Sequence, residues 1–259
     1  MTFASFLAVV ATLVVASLGG ANTWANTDDV PLRALTQQAE QGSAPAQFEL
    51  GQRFENGNGV AENAAQAVTW YRKAAAAGNA DAQLRLAWCY NQGDGVAEDP
   101  VESLKWLQRA AANGKAVAQY RLAWLYINGD GVEQSVPEAR QWFEKAARQH
   151  FADAQNALGY TYHHKTPGDD VVRAAQWYLA AARQDHIFAK GNLADLMRAS
   201  PKLALHGEAN VFGEPAASAD VVGLLHAGDV VYRLRQDGAW AAVVDDRKRF
   251  VGWVAVDQL

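Results

Sequence analysis

Hydrophobic residues follow helical spacings along most of this chain, and two kinds of segment alternate. In residues 46–56 the apolar positions stand four apart, at Ala46, Leu50 and Phe54. In residues 64–77 they stand three and four apart. Both spacings place apolar side chains on one face of an α-helix. The pattern therefore predicts pairs of amphipathic helices joined by short connections.

The pair recurs four times at a nearly constant interval. Successive tryptophans of the second segment are separated by 36, 36 and 35 residues, and alanines and glycines keep the 36-residue step. A fixed period of this length is typical of stacked helical units rather than of one closed globule. The repeated residues are Trp70, Trp106, Trp142 and Trp177; Ala46, Ala82, Ala118 and Ala154; and Gly57, Gly93 and Gly129.

Incomplete repeats flank the four units. Residues 31–41 match a second helix and follow an acidic cap with a proline in the first turn. Residues 188–197 match a first helix, with Leu193 and Met197 in register. The sequence thus predicts ten helices. Rings and alanines should interlock between layers, and a buried tryptophan would contribute up to about 4–6 kcal/mol.

Glycine pairs follow the first helices of three units, as in Gly57-Asn58-Gly59. Glycine adopts the left-handed conformation that ends many helices, so these segments are predicted to be turns. A phosphate-binding loop would follow a strand and precede a Lys-Ser/Thr pair, and a calcium loop would carry spaced acidic residues; neither pattern is present. In unit four, His163-His164-Lys165-Thr166-Pro167 replaces the glycines, which predicts a turn of different shape.

The repeated motif resembles a known family. Ala-x-Ala-Gln-x-x-Leu-Ala-Trp-x-Tyr-x-x-Gly-x-Gly-Val, then Trp-x-x-x-Ala-Ala-x-x-Gly, is similar to the Sel-1-like repeat of the tetratricopeptide clan. Units two and three match it nearly throughout, Phe54 replaces the tyrosine of unit one, and unit four departs most. The resemblance covers about residues 31–197. It implies a curved α-solenoid that scaffolds protein complexes, often in the bacterial envelope, without catalysis of its own.

After Ser200-Pro201 the periodicity changes. Val230, Tyr232 and Leu234 alternate with their neighbours, and Asp237-Gly238 marks a turn. This predicts short strands joined by hairpins, and several such strands suggest a small barrel. The segments Ala209-Asn210-Val211, Val222-Gly223, Gly228-Asp229 and Gly252-Trp253-Val254 resemble the bacterial SH3-like domain, in which arginine usually stands where this chain has Phe212. The resemblance implies binding of peptidoglycan or peptides.

The N-terminus carries an uncharged apolar run from Phe3 to Leu18, followed by small residues. Such a run is typical of a signal peptide, here with cleavage after Ala21 or Ala25, and it is short for a membrane-spanning helix. We therefore predict export to the periplasm, with an uncleaved membrane anchor as the alternative. No lipid anchor is expected, because no cysteine follows the run.

The predicted fold is multi-domain. A signal peptide over residues 1–25 precedes an α-solenoid of stacked helix pairs over 26–199, and a small all-β SH3-like barrel follows over 200–259. The net charge of -5 argues against nucleic-acid binding. The single cysteine, Cys89, excludes an intramolecular disulfide and is expected to be a buried apolar residue rather than a nucleophile or redox sensor. No catalytic residue, metal site or cofactor is predicted.

Candidate partner-binding residues occupy two repeat positions. The first would form an aromatic ladder on the inner solenoid surface, with packing between layers as the other interpretation. The second would bind a partner through side-chain amides, or bridge adjacent helices by hydrogen bonds. The ladder positions are Gln52, Trp88, Trp124 and Tyr160, and the amide positions are Gln47, Gln83, Gln119 and Gln155.

In the barrel, Phe212, Tyr232 and Trp240 are candidates for a ligand groove. Phe212 and Tyr232 are expected at the surface. Trp253 is expected in the barrel core, and Trp240 is a further candidate for it. The His163-His164 pair is expected in a solvated turn rather than around a metal, since adjacent side chains on a helix diverge.

These features predict a non-catalytic envelope adaptor. Its solenoid would hold a protein partner, and its barrel would contact peptidoglycan or a second protein. Two other hypotheses stay open: a periplasmic signalling regulator that masks a membrane sensor, and a cell-wall hydrolase. The sequence shows no nucleophile–base arrangement and lacks the paired cysteines of amide-hydrolase relatives of the repeat family.

Overall fold

The computed structural model describes residues 30–165 and 170–259. The predicted signal peptide, Thr166 and Pro167 lie outside these residues. The described chain folds into ten helices followed by six strands, which confirms the predicted helical stack and β region. Within these ranges, no helix combines the length and apolar character needed to cross a bilayer.

The helices pair as predicted, and the strands begin shortly after the last helix ends. The helices are α1 Val30–Glu40, α2 Ala44–Asn56, α3 Ala64–Ala76, α4 Ala80–Gln92, α5 Pro100–Ala112, α6 Ala116–Asn128, α7 Val136–Ala147, α8 Ala152–His164, α9 Val171–Ala182 and α10 Ile187–Ala199. The strands are β1 Lys202–Ala204, β2 Ala209–Phe212, β3 Val221–Leu225, β4 Val230–Asp237, β5 Trp240–Asp245 and β6 Val251–Ala255.

Local capping sets the helix ends. Gly57, Gly93 and Gly129 follow α2, α4 and α6 with left-handed φ angles of 69°, 70° and 80°. Each glycine N–H donates to a carbonyl of the preceding helical turn, which satisfies part of the helix end. At the start of α5, the Asp99 carboxylate accepts two backbone N–H groups at 3.0 Å.

The end of α8 differs from the glycine-capped ends, as the sequence predicts, but the helix continues further than expected. His163 and His164 belong to the last turn of the helix, and their ring centres are 4.0 Å apart. The expectation that they form a solvated turn is therefore wrong. The helix ends at His164, and the φ of the following Lys165, −123°, is far from the left-handed values of the glycines.

In units one, three and four, the residue after the repeated tryptophan is an aromatic ring that fills the layer. Tyr71, Phe143 and Tyr178 are completely buried, whereas the preceding tryptophans are half-buried. This corrects the prediction of buried tryptophans. Adjacent residues on a helix point about 100° apart, so the second ring faces the interior and the tryptophan lies at the edge. There the Lys73 ammonium sits 3.8 Å from the centre of the Trp70 ring.

The residue opposite each buried ring is small, and its size limits which side chain fits there. A Cβ at Gly51 would lie 2.6 Å from Tyr71 Cε1, and one at Gly159 would lie 2.7 Å from Tyr178 Cδ1. Alanine takes this position in units two and three. The four pairs are Gly51 with Tyr71, Ala87 with Leu107, Ala123 with Phe143, and Gly159 with Tyr178.

The strands form one antiparallel sheet in the order β1-β4-β5-β6-β2-β3. Successive side chains along a strand point to opposite faces. One face contributes Val231, Val243 and Val254 to a core that also contains Val211 and Leu225. The β region therefore has a hydrophobic core of its own.

The opposite face of the sheet packs against the end of the solenoid. Val244 and Trp253 belong to the same hydrophobic cluster as Leu179 of α9 and Leu196 of α10. Trp253 was predicted for the barrel core, but it alternates with Val254 along β6 and is buried in this joint core instead. The solenoid and the β region thus share one hydrophobic cluster where they meet.

Candidate protein-binding groove

A groove lies between units two and three, bordered by α4, α5 and α6. Its volume is about 470 Å³, and both apolar and polar residues line it. Trp88 of α4 and Trp124 of α6 both line it, together with Leu104 and Leu107 of α5. The structure thus brings together two of the residues predicted for partner binding.

The groove exists because unit two lacks the ring that fills the other layers. Leu107 stands at the repeat position of Tyr71, Phe143 and Tyr178. Leucine is smaller than an aromatic residue, so the space between the three helices is not filled. Sequence reasoning missed Leu107, although its departure from the aromatic pattern is visible in the repeats.

Neighbouring side chains hold the two indoles in place. The Trp124 ring packs edge-on against Tyr120 and Phe143, with ring centres 6.3 and 5.4 Å apart. The Arg85 guanidinium lies 5.2 Å from the centre of the Trp88 ring. Both indoles are half-buried, so each keeps accessible surface while losing little conformational freedom on binding. Ordered aromatic side chains of this kind are typical of interaction hot spots.

The other two ladder positions lie outside the groove lining. Tyr160 is exposed, and its ring packs on His164 with 4.6 Å between ring centres. Gln52 is exposed on α2. The predicted ladder of four residues is therefore reduced, at this groove, to Trp88 and Trp124.

The polar residues of the groove include one cation, Arg121. Within the described residues, the exposed Arg121 side chain makes no hydrogen bond or ion pair. Asp130, which also lines the groove, accepts a hydrogen bond from Asn128 Nδ2 at 3.1 Å. Asn91 is exposed in the last turn of α4. The groove consequently offers a guanidinium to an incoming acceptor.

The repeated glutamines are buried between helices, which corrects the partner-binding assignment of Gln83 and Gln119. Their exposed fractions are 3% and 5%. The Gln83 amide donates to the Ala75 carbonyl at 3.1 Å and accepts from Asn113 Nδ2 at 2.8 Å. Gln119 repeats this arrangement one unit later. The other interpretation, hydrogen bonding between adjacent helices, therefore describes their contacts.

Gln47, the first glutamine of the series, makes only one of these two hydrogen bonds. Gln47 donates to the Ala39 carbonyl at 3.0 Å, but its buried Oε1 has no hydrogen-bond partner among the described residues. Residue 77 stands where Asn113 donates in the next unit, and it is alanine. Ala77 and Asn113 have nearly the same backbone conformation, with φ and ψ of −79° and 7° against −82° and 15°.

Replacing Ala77 by asparagine is therefore expected to stabilise the protein by about 1 kcal/mol, because it gives the buried Gln47 Oε1 a donor. Urea denaturation followed by circular dichroism measures the change. Ala76→Asn is the matched control, since this exposed neighbour points elsewhere and loses only helix propensity. Equal stability of the two variants would contradict the explanation.

A partly buried triad joins units one and two. The Tyr71 hydroxyl donates to Glu55 Oε2 at 2.5 Å, and the Arg85 guanidinium pairs with the same carboxylate, with Nε 3.3 Å from Oε2. Burial, and then the hydrogen bond to Glu55, raise the pKa of the Tyr71 hydroxyl above its usual range. Tyr71 therefore remains a donor. Tyr178, at the same position in unit four, has a buried hydroxyl without a partner among the described residues.

Removing the two hydroxyls should have opposite consequences. Tyr71→Phe is expected to cost about 1.5–3 kcal/mol, because it breaks a hydrogen bond to a charged group. Tyr178→Phe is expected to be neutral or stabilising, since it removes an unpaired buried group. Chemical denaturation of both variants tests the pair. A larger loss for Tyr178→Phe would show that the assigned hydrogen bonds are incorrect.

The predicted ligand residues of the β region lie on the solenoid-facing side of the sheet. Tyr232 and Trp240 are half-buried against the joint core with α9 and α10. Phe212 is half-buried as well, pairs with Trp253 across the strands, and its ring centre is 5.5 Å from that of Trp240. This corrects the expected surface positions of Phe212 and Tyr232. Sequence alternation assigned them to one face, but only tertiary contacts show what covers it.

The cysteine behaves as a core residue. Cys89 is buried in α4, and burial raises the pKa of its thiol to about 11. A thiol of this kind stays protonated at neutral pH and is a poor nucleophile. Among the described residues, no group of three or more His, Cys, Asp or Glu side chains is arranged to hold a metal ion.

Comparisons with known proteins agree with the helical repeat. The Sel1 repeat profile matches residues 44–79, 80–115, 116–151 and 152–186. A 46-residue stretch is 46% identical to the secretory immunoglobulin A-binding protein EsiB of Escherichia coli O6:H1; it is 18% of this chain and 9% of that protein.

Two solved structures share the fold at substantial identity. A protective antigen from uropathogenic Escherichia coli strains, which displays an SLR fold, is 39% identical with a TM-score of 0.60, over 64% of this chain and 36% of its own. A Sel1 repeat protein from Oxalobacter formigenes is 38% identical with a TM-score of 0.61, over 64% and 48%. The chain thus spans less than half the length of each of these relatives.

Proteins built from this repeat are typically scaffolds for protein interactions. The four matches are consecutive and cover more than half of the sequence. This chain therefore belongs to the Sel1-repeat family.

Proposed function

We propose that this protein is a non-catalytic envelope adaptor that binds a protein partner in the groove between units two and three. The observation that carries the proposal is the groove itself, an unfilled layer lined by the half-buried Trp88 and Trp124. Apolar space flanked by ordered indoles and polar groups fits the insertion of a partner side chain.

Site-specific crosslinking tests the groove. The full chain, expressed in its own cells, carries photoreactive benzoylphenylalanine in place of Asn91, or of Thr69 as an exposed control on α3. Partner crosslinks are expected from position 91, and they should be lost on Trp124→Ala and reduced on Arg121→Ala in variants that keep their circular dichroism. Equal crosslinking from both positions, or no effect of either variant, would disprove binding at this groove.

The identity of the crosslinked partner separates two hypotheses. A soluble or wall-associated protein supports the adaptor. Recovery of a membrane sensor supports instead the signalling regulator that masks such a sensor, a role that the same groove could perform.

We also propose that the protein is exported. The support is the apolar run near the N-terminus, which lies outside the described residues. Cell fractionation with intact-mass measurement tests this. A periplasmic chain that starts after Ala21 or Ala25 is expected. A membrane-bound, full-mass chain would indicate an uncleaved anchor, and a cytoplasmic one would rule out export.

A second proposal concerns the β region, which would contact peptidoglycan or a peptide through its open edge. β3 is the last strand of the sheet, and Val221, Val222 and Leu224 on it are exposed. An unpaired strand edge can bind an extended peptide by strand addition. The SH3-like resemblance supports an envelope ligand.

Co-sedimentation with purified peptidoglycan tests this contact. The intact protein should pellet, and Val222→Glu should weaken pelleting, whereas Val101→Glu on α5 should not. Point variants are preferable to truncation, because the β region shares a core with the helices. Failure of the intact protein to pellet would exclude wall binding, and release of soluble wall fragments would support the hydrolase hypothesis instead.

A further inference from the structure

We infer that the groove recognises a partner segment that carries a tyrosine ring with an acidic side chain beside it. The inference rests on the proposed function, because it assumes that a protein partner enters this groove. It comes from comparing the groove with the equivalent place one repeat earlier, where the chain supplies the same two groups itself.

Between units one and two, a ring and a carboxylate fill the layer. The Tyr71 ring is completely buried, and its hydroxyl donates to Glu55 at 2.5 Å. Arg85, from the next unit, neutralises that carboxylate. The ring thus fills the apolar space, while the carboxylate satisfies both the hydroxyl and the guanidinium.

Between units two and three, the ring and the carboxylate are both replaced, but the cation remains. A 36-residue step converts Tyr71 to Leu107 and Glu55 to Asn91, whereas Arg85 becomes Arg121. Without the ring, the space remains open as the groove. Without the carboxylate, Arg121 has no ion pair among the described residues. Leu107, Asn91 and Arg121 all line the groove.

The next step in the stack shows that the combination is specific. Between units three and four, the equivalent residues are Ile127, Phe143 and Ala157. There the ring is present and no charge remains. Among the described junctions between complete units, the one between units two and three therefore combines a missing ring with an unpaired guanidinium.

The groove consequently suits a ligand that supplies the missing ring and the missing carboxylate. An aromatic side chain would occupy the space beside Leu107, between the Trp88 and Trp124 indoles. A carboxylate would pair with Arg121, since a guanidinium–carboxylate hydrogen bond is among the stronger ones in proteins. Asp130 also lines the groove, so an acidic ligand must approach on the Arg121 side.

Peptide binding tests the chemistry directly. The probes are short, fluorescently labelled, end-capped peptides with one tyrosine and one glutamate at several separations, and binding to the full chain is measured by fluorescence anisotropy. At least one separation should bind with a clear preference. Changing its tyrosine to alanine, or its glutamate to glutamine, is expected to weaken binding about tenfold, as the loss of one charged hydrogen bond or one buried ring would do.

Two variants of the protein identify the site. Arg121→Gln should abolish the difference between glutamate and glutamine peptides. Leu107→Phe should abolish binding of all of them by filling the groove, and it should fold, because the same ring stands opposite alanine at Ala123 and Phe143. The rebuilt triad Ala87→Gly, Asn91→Glu, Leu107→Tyr should have the same effect.

No preference for the tyrosine–glutamate peptides, or unchanged binding to the folded Leu107→Phe variant, would overturn the inference. The crosslinks from position 91 separate this failure from that of the proposed function. If they persist while the peptides fail, the groove binds a partner of different chemistry. If they are absent as well, both proposals fall.

Discussion

Replacing Trp253 by alanine is expected to lower the free energy of unfolding by about 3–5 kcal/mol. The indole is buried in the core that the sheet shares with Leu179 and Leu196 of the last two helices. The helical and the β signals should therefore weaken together. Far-UV circular dichroism follows the helices and near-UV circular dichroism follows the packed aromatic residues during thermal unfolding.

The control is Phe188→Ala. Phe188 is 75% exposed at the start of α10, so its removal should change stability by no more than about 0.5 kcal/mol. A Trp253→Ala variant whose helices keep the melting temperature of the unchanged protein would contradict the shared core. A solenoid truncated before the β region could then be used for co-sedimentation and crosslinking, because its helices would stay folded.

Replacing Gly95 by alanine is expected to cost about 2–5 kcal/mol, because left-handed strain and a steric clash add together. Gly95 has a φ of +67°, and an added Cβ would collide with the Ala64 carbonyl of the preceding unit. The turn after α4 thus presses directly on the start of α3. Urea denaturation of the purified variant measures the loss.

Gly131→Ala separates the two causes. Gly131 occupies the same position one repeat later, with a φ of +70°, but a Cβ there would lie 3.4 Å from Leu104 Cδ2, an ordinary contact. Strain alone should cost about 1–2 kcal/mol. Equal effects of both substitutions would mean that the backbone at Gly95 moves away without penalty.

The shared core also bears on how the protein works. Because α9 and α10 are covered by the sheet, the β region closes one end of the stack, as terminal caps do in other repeat proteins. If the protein acts as the proposed adaptor, this packing would hold its groove and its exposed β3 edge at a fixed separation. Partners bound at the two places would then be held in a defined arrangement.

Much of the architecture was predictable from local patterns. The steps between Trp70, Trp106, Trp142 and Trp177 predict the stack, and glycines such as Gly57 predict where helices end. The repeat is visible when segments of the chain are compared, and each helix end depends on residues within one or two turns, so a single sequence contains the necessary information. Leu107 visibly interrupts the series of rings in the sequence. Only the packing of the neighbouring helices shows that this interruption leaves a groove.

The sequence by itself determined the repeat, the ten helices, the change to strands after Ser200 and the residue types available at each layer. Only the tertiary structure decided which ring of each Trp–aromatic pair is buried, that Gln83 and Gln119 bridge helices, and that Tyr232, Trp240 and Trp253 face the solenoid. The physical reason is range. Helix formation and capping are local, whereas burial depends on contacts such as that between β6 and α9, whose residues are distant along the chain.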